Sequence, residues 1–116
     1  RAYQYGIHAE NIAKLYLRCK GYRILASRYR NRAGEIDLIA LKSGHLVAVE
    51  VKARGKLSDC AETVPPAKQA KIARAMEGFL CGPGLKSAGL ANRQTPNIRF
   101  DVIWIAPRHW PVHIKD

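Results

Sequence analysis

The chain has 116 residues, 47% apolar and 25% charged, with 20 Lys and Arg against nine Asp and Glu and a net charge of +11. That mixture excludes a disordered tail and suits one domain spanning 1–116, large enough to bury a core without staples. No apolar run approaches the roughly 20 residues of a membrane helix and there is no signal-peptide pattern, while the basic excess favours a polyanionic partner: nucleic acid first, an anionic membrane or the ribosome second.

Cys19, Cys60 and Cys81 are an odd set with no short spacing. They argue against a disulfide framework or a zinc site and fit a reducing cytoplasm. The chain opens on Arg1 and not Met, as a piece of something slightly longer would.

Residues 3–20 have a helical pattern. Tyr5, Ala9, Ile12, Ala13, Tyr16 and Leu17 recur at three- and four-residue steps and form an apolar stripe. Gly21 is a stop signal. Glu10 lies at the edge of the stripe, where half-burial is expected. Residues 22–30 read as a strand and "NRAG" (31–34) as a turn. Two further strands, 35–41 and 46–53, join around Ser43 and Gly44 in a hairpin. Residues 54–64 read as a loop.

Pro65 and Pro66 suit the start of a helix that runs to about Cys81. Its apolar contacts would come from Ala67, Ala70, Ile72, Ala73, Met76, Phe79 and Leu80. The Gly- and Pro-rich text at 81–97 reads as a mobile loop. Residues 98–106 form a strand with Arg99 and Asp101 on one face and Phe100, Val102 and Trp104 on the other. Asp101 is expected to pair with Arg99 or a neighbouring strand, and Phe100 and Trp104 to be core. No interleaving of aromatic and basic residues marks a single-strand binding platform. Residues 110–115 read as a short edge strand. His109 and His113 are four apart, but Pro111 lies between them in strand-like text, which argues against a metal pair.

Strands joined by tight turns pair antiparallel, and a strand that follows a helix adds in parallel by crossover. The expected class is α/β, a mixed sheet with helices against its faces.

The hairpin carries the chemistry. With Ser43-Gly44 at its tip, paired residue numbers sum to 87. Asp37 then opposes Glu50, and Glu35 opposes Lys52. Strict alternation puts Glu35, Asp37, Ile39 and Leu41 on one face. Opposed residues have Cβ atoms about 4.5–5.5 Å apart, and like charges so placed destabilise a sheet. Partial burial raises the pKa of one of the pair as well. A hard divalent cation between the carboxylates explains the arrangement. Lys52 shares the face of Glu50, one rise of the pleat away. A metal with a nearby Lys suits phosphodiester cleavage, since the ion activates phosphate and water and the ammonium offsets developing charge. The plainer alternative is a set of solvent-facing charges with Glu35 paired to Lys52. The opposed acids, the adjacent Lys and the scarcity of acids elsewhere weigh against it.

Asp37 followed by Glu50-Val51-Lys52 resembles the signature of the restriction-endonuclease-like nucleases, the PD-(D/E)XK superfamily. "GIHAENIAKLYL" (6–17), "GYRIL" (21–25), "GEIDLIA" (34–40), "VAVEVKAR" (47–54) and "RFDVI" (99–103) together resemble the YraN-like family of small bacterial proteins, which is similar to the archaeal Holliday junction resolvases. Ile36 stands before Asp37 where the superfamily name has Pro.

The resemblance implies a restriction-endonuclease-like α/β/α domain with a central mixed sheet. It implies a catalytic set of Glu10, Asp37, Glu50 and Lys52, with Mg²⁺ or Mn²⁺ held by Asp37, Glu50, the Val51 carbonyl and Glu10. Lys52 would position or activate the attacking water. The function implied is a metal-dependent endonuclease acting on DNA, in the resolvase branch on branched DNA and as a homodimer. The competing reading is a basic nucleic-acid-binding module, for DNA or for RNA and the ribosome, that keeps the fold without turnover.

Other basic residues are candidates for phosphate contacts that position nucleic acid without reading sequence. Arg54 and Lys56 lie just past the motif. Lys68, Lys71 and Arg74 recur at helical spacing, and Arg28, Arg30 and Arg32 share a face if the strand extends to 32. A solvated face is the alternative for the last two groups. Glu35 is expected to be structural, in a pair with Lys52 or a turn contact.

Overall fold

The computed structural model describes residues 2–55, 64–82 and 97–115, with side chains from residue 6 onward. Helix α1 (Ala2–Cys19) is followed by strands β1 (Arg23–Asn31), β2 (Gly34–Lys42) and β3 (His45–Ala53), helix α2 (Pro66–Cys81), and strands β4 (Asn97–Ile105) and β5 (Val112–Ile114). The strands form one sheet in the order β1-β2-β3-β4-β5. All neighbours are antiparallel except β3 and β4, which run parallel. The α/β class and the mixed sheet are as expected and compatible with a restriction-endonuclease-like fold.

Local chemistry sets the element ends. Gly21 has a φ of 92°, and the chain closes α1 with Tyr22 N–H donating to the Leu17 carbonyl and Gly21 N–H to the Arg18 carbonyl, at 2.9 and 3.0 Å. This pair of bonds is a Schellman stop, which needs the left-handed residue glycine supplies. Between β2 and β3, Ser43 and Gly44 have φ values of 51° and 79°, a two-residue turn whose twist matches the strands. The register is that of the sequence arithmetic, with Leu38 opposite Val49 and Lys42 opposite His45. At the start of α2, the Pro65 carbonyl accepts from the N–H groups of Lys68 and Gln69.

Each sheet face carries one helix. Ala9, Ala13 and Leu17 of α1 pack on Leu38, Ala40, Val47, Val49, Ile103 and Ile105. Ile72, Ala75, Met76 and Phe79 of α2 pack on Ile36, Ile39, Leu46 and Ala48. Ala67, Ala70 and Ala73 are exposed rather than in the apolar contact, because the stripe of α2 that faces the sheet runs through Ala75 instead. The helix comes close to β1 at Gly78, where an added Cβ would sit 2.5 Å from Asn31 Nδ2. That same Asn31 amide donates to the Ala75 carbonyl at 3.0 Å and ties strand to helix.

Candidate functional site

The alternation expected along β2 breaks at Asp37. Ile36 and Ile39 belong on opposite faces of a regular strand, yet both pack under α2, while Leu38 and Ala40 pack under α1. The neighbouring strand is distorted at the same level, though its pairing with β2 keeps one register there and shifts only earlier, between Ile24 and Ala26. Arg28 has a φ of 53°, and Ser27 pairs with Leu38 and Tyr29 with Ile36 on either side of it. Glu35, Asp37 and Ile39 therefore do not share a face. Asp37 is turned edge-on and borders a cleft on each side of the sheet.

The turn changes its partners. The β2–β3 ladder runs from Lys42 to Leu38 and stops. At the next position the Val51 N–H donates to Asp37 Oδ2 at 2.8 Å, so a carboxylate replaces a strand partner. In an extended strand the N–H and C=O of one residue leave on the same edge. The Val51 carbonyl thus faces the opening beside Asp37.

The electrostatics follow from this position. The Asp37 carboxyl is pushed up from 3.8 to about 6, by burial first and by the charge of Glu50 second. The Glu10 charge and a hydrogen bond with Glu50 act in the same direction, and the Val51 N–H opposes them. Glu50 is only 8% exposed. Lys68 Nζ of α2 lies 2.5 Å from Glu50 Oε2.

The sequence-predicted residues divide between the two clefts. On the α1 side a cleft of about 300 Å³ is bordered by Glu10, Arg28, Asp37, Val51 and Ala53. On the α2 side one of about 160 Å³ is bordered by Glu35, Asp37, Glu50, Lys68 and Lys71. Glu10 is half-buried as expected, but its carboxylate is turned to Arg28, whose Nε lies 3.2 Å from Oε1. Among the described residues no group of three His, Cys, Asp or Glu side chains is placed to hold a metal ion. The sheet itself explains why, since Glu10 and Glu50 approach Asp37 from opposite faces. The donor set that remains is Asp37, Glu50 and the Val51 carbonyl.

Lys52 lies beside Trp104 in the parallel ladder, with its ammonium 5.5 Å from the indole centre. It does not meet Glu35, whose partner is Arg30 on β1. The physical reason is the break at Asp37: beyond it β2 pairs only with β1. Arg28 and Arg30 accordingly engage carboxylates rather than form a common phosphate face with Arg32, which lies in the turn after β1. Arg54, the residue after β3, has its guanidinium 5.1 Å from the Trp104 ring and its backbone N–H on the Ile105 carbonyl. Lys56 and most of the 81–97 loop lie outside the described residues.

Two arrangements were not foreseen from sequence. Lys68 was a candidate for phosphate but meets the Glu50 carboxylate; its helical spacing from Lys71 carried no sign of which sheet face α2 covers. The expected Arg99–Asp101 pair is present, and it is part of a larger buried set. Asp101, fully buried, accepts two bonds from Arg99 at 2.8 and 2.9 Å and lies 2.7 Å from His113 Nε2. Arg99 also donates to the Tyr22 hydroxyl, and Lys20 Nζ lies 2.8 Å from His113 Nδ1. His113 is thereby committed to pinning β5, and His109 is exposed in the preceding turn.

A model of the uncharacterised protein family UPF0102 matches residues 9–105. The chain is 44% identical over 115 residues to a UPF0102 protein of Parvibaculum lavamentivorans, covering 99% of this chain and 81% of the relative. It is 43% identical over 113 residues to one from Bradyrhizobium diazoefficiens (97% and 80%). It is 42% identical over 115 residues to one from Rhodopseudomonas palustris (97% and 83%). The chain belongs to this family, which is the YraN family that its motifs resemble.

Proposed function

We propose that this member of family UPF0102 is a metal-dependent nuclease that hydrolyses phosphodiester bonds of nucleic acid, DNA foremost. The observation that carries the reading is the meeting of Asp37 and Glu50 where the β2–β3 ladder opens. Half-buried like charges oppose folding, and a divalent cation relieves the opposition. Asp37, Glu50 and the Val51 carbonyl would hold Mg²⁺ or Mn²⁺. They fit a hard ion that takes one or two carboxylates and keeps its other positions for water and substrate oxygens. When bound, the ion would supply Lewis-acid activation of the phosphate.

The chain's own residues supply the rest. Lys52, one rise of the pleat beyond Glu50, would offset charge developing on the phosphate. Lys68 neutralises Glu50 in the ion-free protein and is close enough to turn to a phosphate oxygen when the carboxylate is engaged. Glu10 acts through Arg28 from the α1 side, and its charge helps keep the Asp37 proton. Arg54 and Lys71 flank the clefts and would hold the backbone of the nucleic acid. Symmetric cutting of a branched substrate would take two copies of the chain.

A second reading, binding without turnover, draws on one observation: Arg28 and Lys68 already neutralise Glu10 and Glu50. The separating experiment is cleavage of a labelled panel (four-way junction, flap, duplex, single strand and RNA) with Mg²⁺ or Mn²⁺, against Asp37→Ala. Cleavage that needs metal and disappears in the variant supports the nuclease. Tight binding with no cut on any substrate favours the binding module. Equal cutting by both proteins rejects the assigned site.

A further inference from the structure

A third cleft, of about 500 Å³, opens between the N-terminal half of α1 and the chain that leaves β4. Ile12 and Ile105 form its apolar part, and His8, Arg108, His109 and Trp110 contribute its cationic and aromatic part. Trp110 is 86% exposed. Scattered exposed apolar residues are ordinary and need no explanation. This indole differs in its company: one Arg and two His border the same cleft, on a chain of net charge +11.

Its place relative to the carboxylates is defined by the sheet. Ala53 borders the Asp37 cleft, Ile105 borders this one, and the two residues are partners in the parallel β3–β4 ladder. Ala9 of α1 faces the core. Glu10 and His8, on either side of it in the chain, border the α1-side Asp37 cleft and this one respectively. Helix α1 is thus a ridge between them. Asp37 on β2 and Ile105 on β4 are two strand spacings apart across the sheet and three residues apart along it, roughly 14 Å in all, which a short run of nucleotides spans. Arg54 follows the end of β3 between the two, with its N–H on the Ile105 carbonyl.

We propose that this cleft is a subsite for an unpaired nucleotide, with the base stacked on Trp110 and its phosphate held by Arg108 and the histidines. The face of an indole takes any base, while a base inside a duplex has no free face to offer. The substrate class is then nucleic acid with unpaired nucleotides beside the cut, rather than uninterrupted duplex. The position of the subsite relative to the cut rests on the nuclease reading; the stacking itself does not.

The test is binding in EDTA, where cleavage plays no part. Anisotropy of labelled oligo(dT), oligo(rU) and a duplex of equal length is measured with the wild type, Trp110→Ala and Trp110→Phe, after melting curves show that all three fold. Loss of one stacked base is expected to weaken single-strand binding of Trp110→Ala roughly 5- to 150-fold. Duplex binding should be unchanged and Trp110→Phe should keep most of the affinity. A loss on oligo(dT), oligo(rU) or both supports the subsite and tells which strand it takes. Unchanged single-strand binding, or equal losses on single strand and duplex, overturns it. Failure of the cleavage panel would leave this result standing, and the reverse holds too.

Discussion

Asp37→Asn tests the central electrostatic argument through stability alone. In the folded protein the Asp37 carboxyl titrates at about 6, against 3.8 for the free side chain, chiefly through burial. Below about pH 4 both states hold the proton and the residue costs nothing. Between pH 4 and 6 the unfolded chain releases its proton while the native state retains it, so stability falls as pH rises. Above pH 6 the penalty is complete. At about 1.4 kcal/mol per pH unit, it amounts to roughly 3 kcal/mol. Asparagine has the same shape and never ionises. Its carbonyl oxygen can keep the Val51 N–H, and its amide can donate to Glu50.

The variant should therefore melt near the wild-type temperature at pH 4 and above it at pH 8. With an unfolding entropy of about 2.1 cal/mol/K per residue, the gain reaches up to about 12 °C. Mg²⁺ or Mn²⁺ at pH 8 should raise the wild-type Tm and leave the variant nearly unmoved, since ligand binding to the native state alone stabilises it. Calorimetric scans from pH 4 to 8 check both points. A Tm difference that is the same at pH 4 and pH 8, or a variant less stable than wild type at pH 8, would refute the account of Asp37 as a buried, charge-opposed acid.

Lys68→Met removes the cation from Glu50. The Asp37 midpoint should then move further up, which carboxyl-resolved NMR titration would read. Asp101→Ala leaves the largely buried Arg99 guanidinium without its two-bond partner and frees His113 from β4; the expected loss is about 3 kcal/mol in urea unfolding, at the lower end for broken buried pairs because Arg99 is still 18% exposed. Gly44→Val puts a branched side chain at a φ of 79° and should cost about 1–2 kcal/mol in the same assay without shifting the Asp37 titration.

Much of the fold is legible in the chain because the forces that set it act between near neighbours. The periodicity of α1, the left-handed stop at Gly21, the Ser43-Gly44 turn and the Pro65-Pro66 helix start each depend on a few adjacent residues. Those signals also delivered the hairpin register, and with it the approach of Asp37 to Glu50. The partners of the charges depended on something else. Strict alternation assigned Glu35 to Lys52, but the break of β2 at Asp37 ended the β2–β3 ladder, left Glu35 opposite Arg30 on β1 and turned Asp37 onto the Val51 N–H. Lys68 reached Glu50, and Glu10 reached Arg28, because α2 and α1 cover opposite faces of the sheet. The cleft that joins His8 to Trp110 spans residues about a hundred positions apart. Backbone geometry and turn chemistry are local and can be read along the chain; an ion pair or a cleft is decided by which surfaces the packed helices bring together.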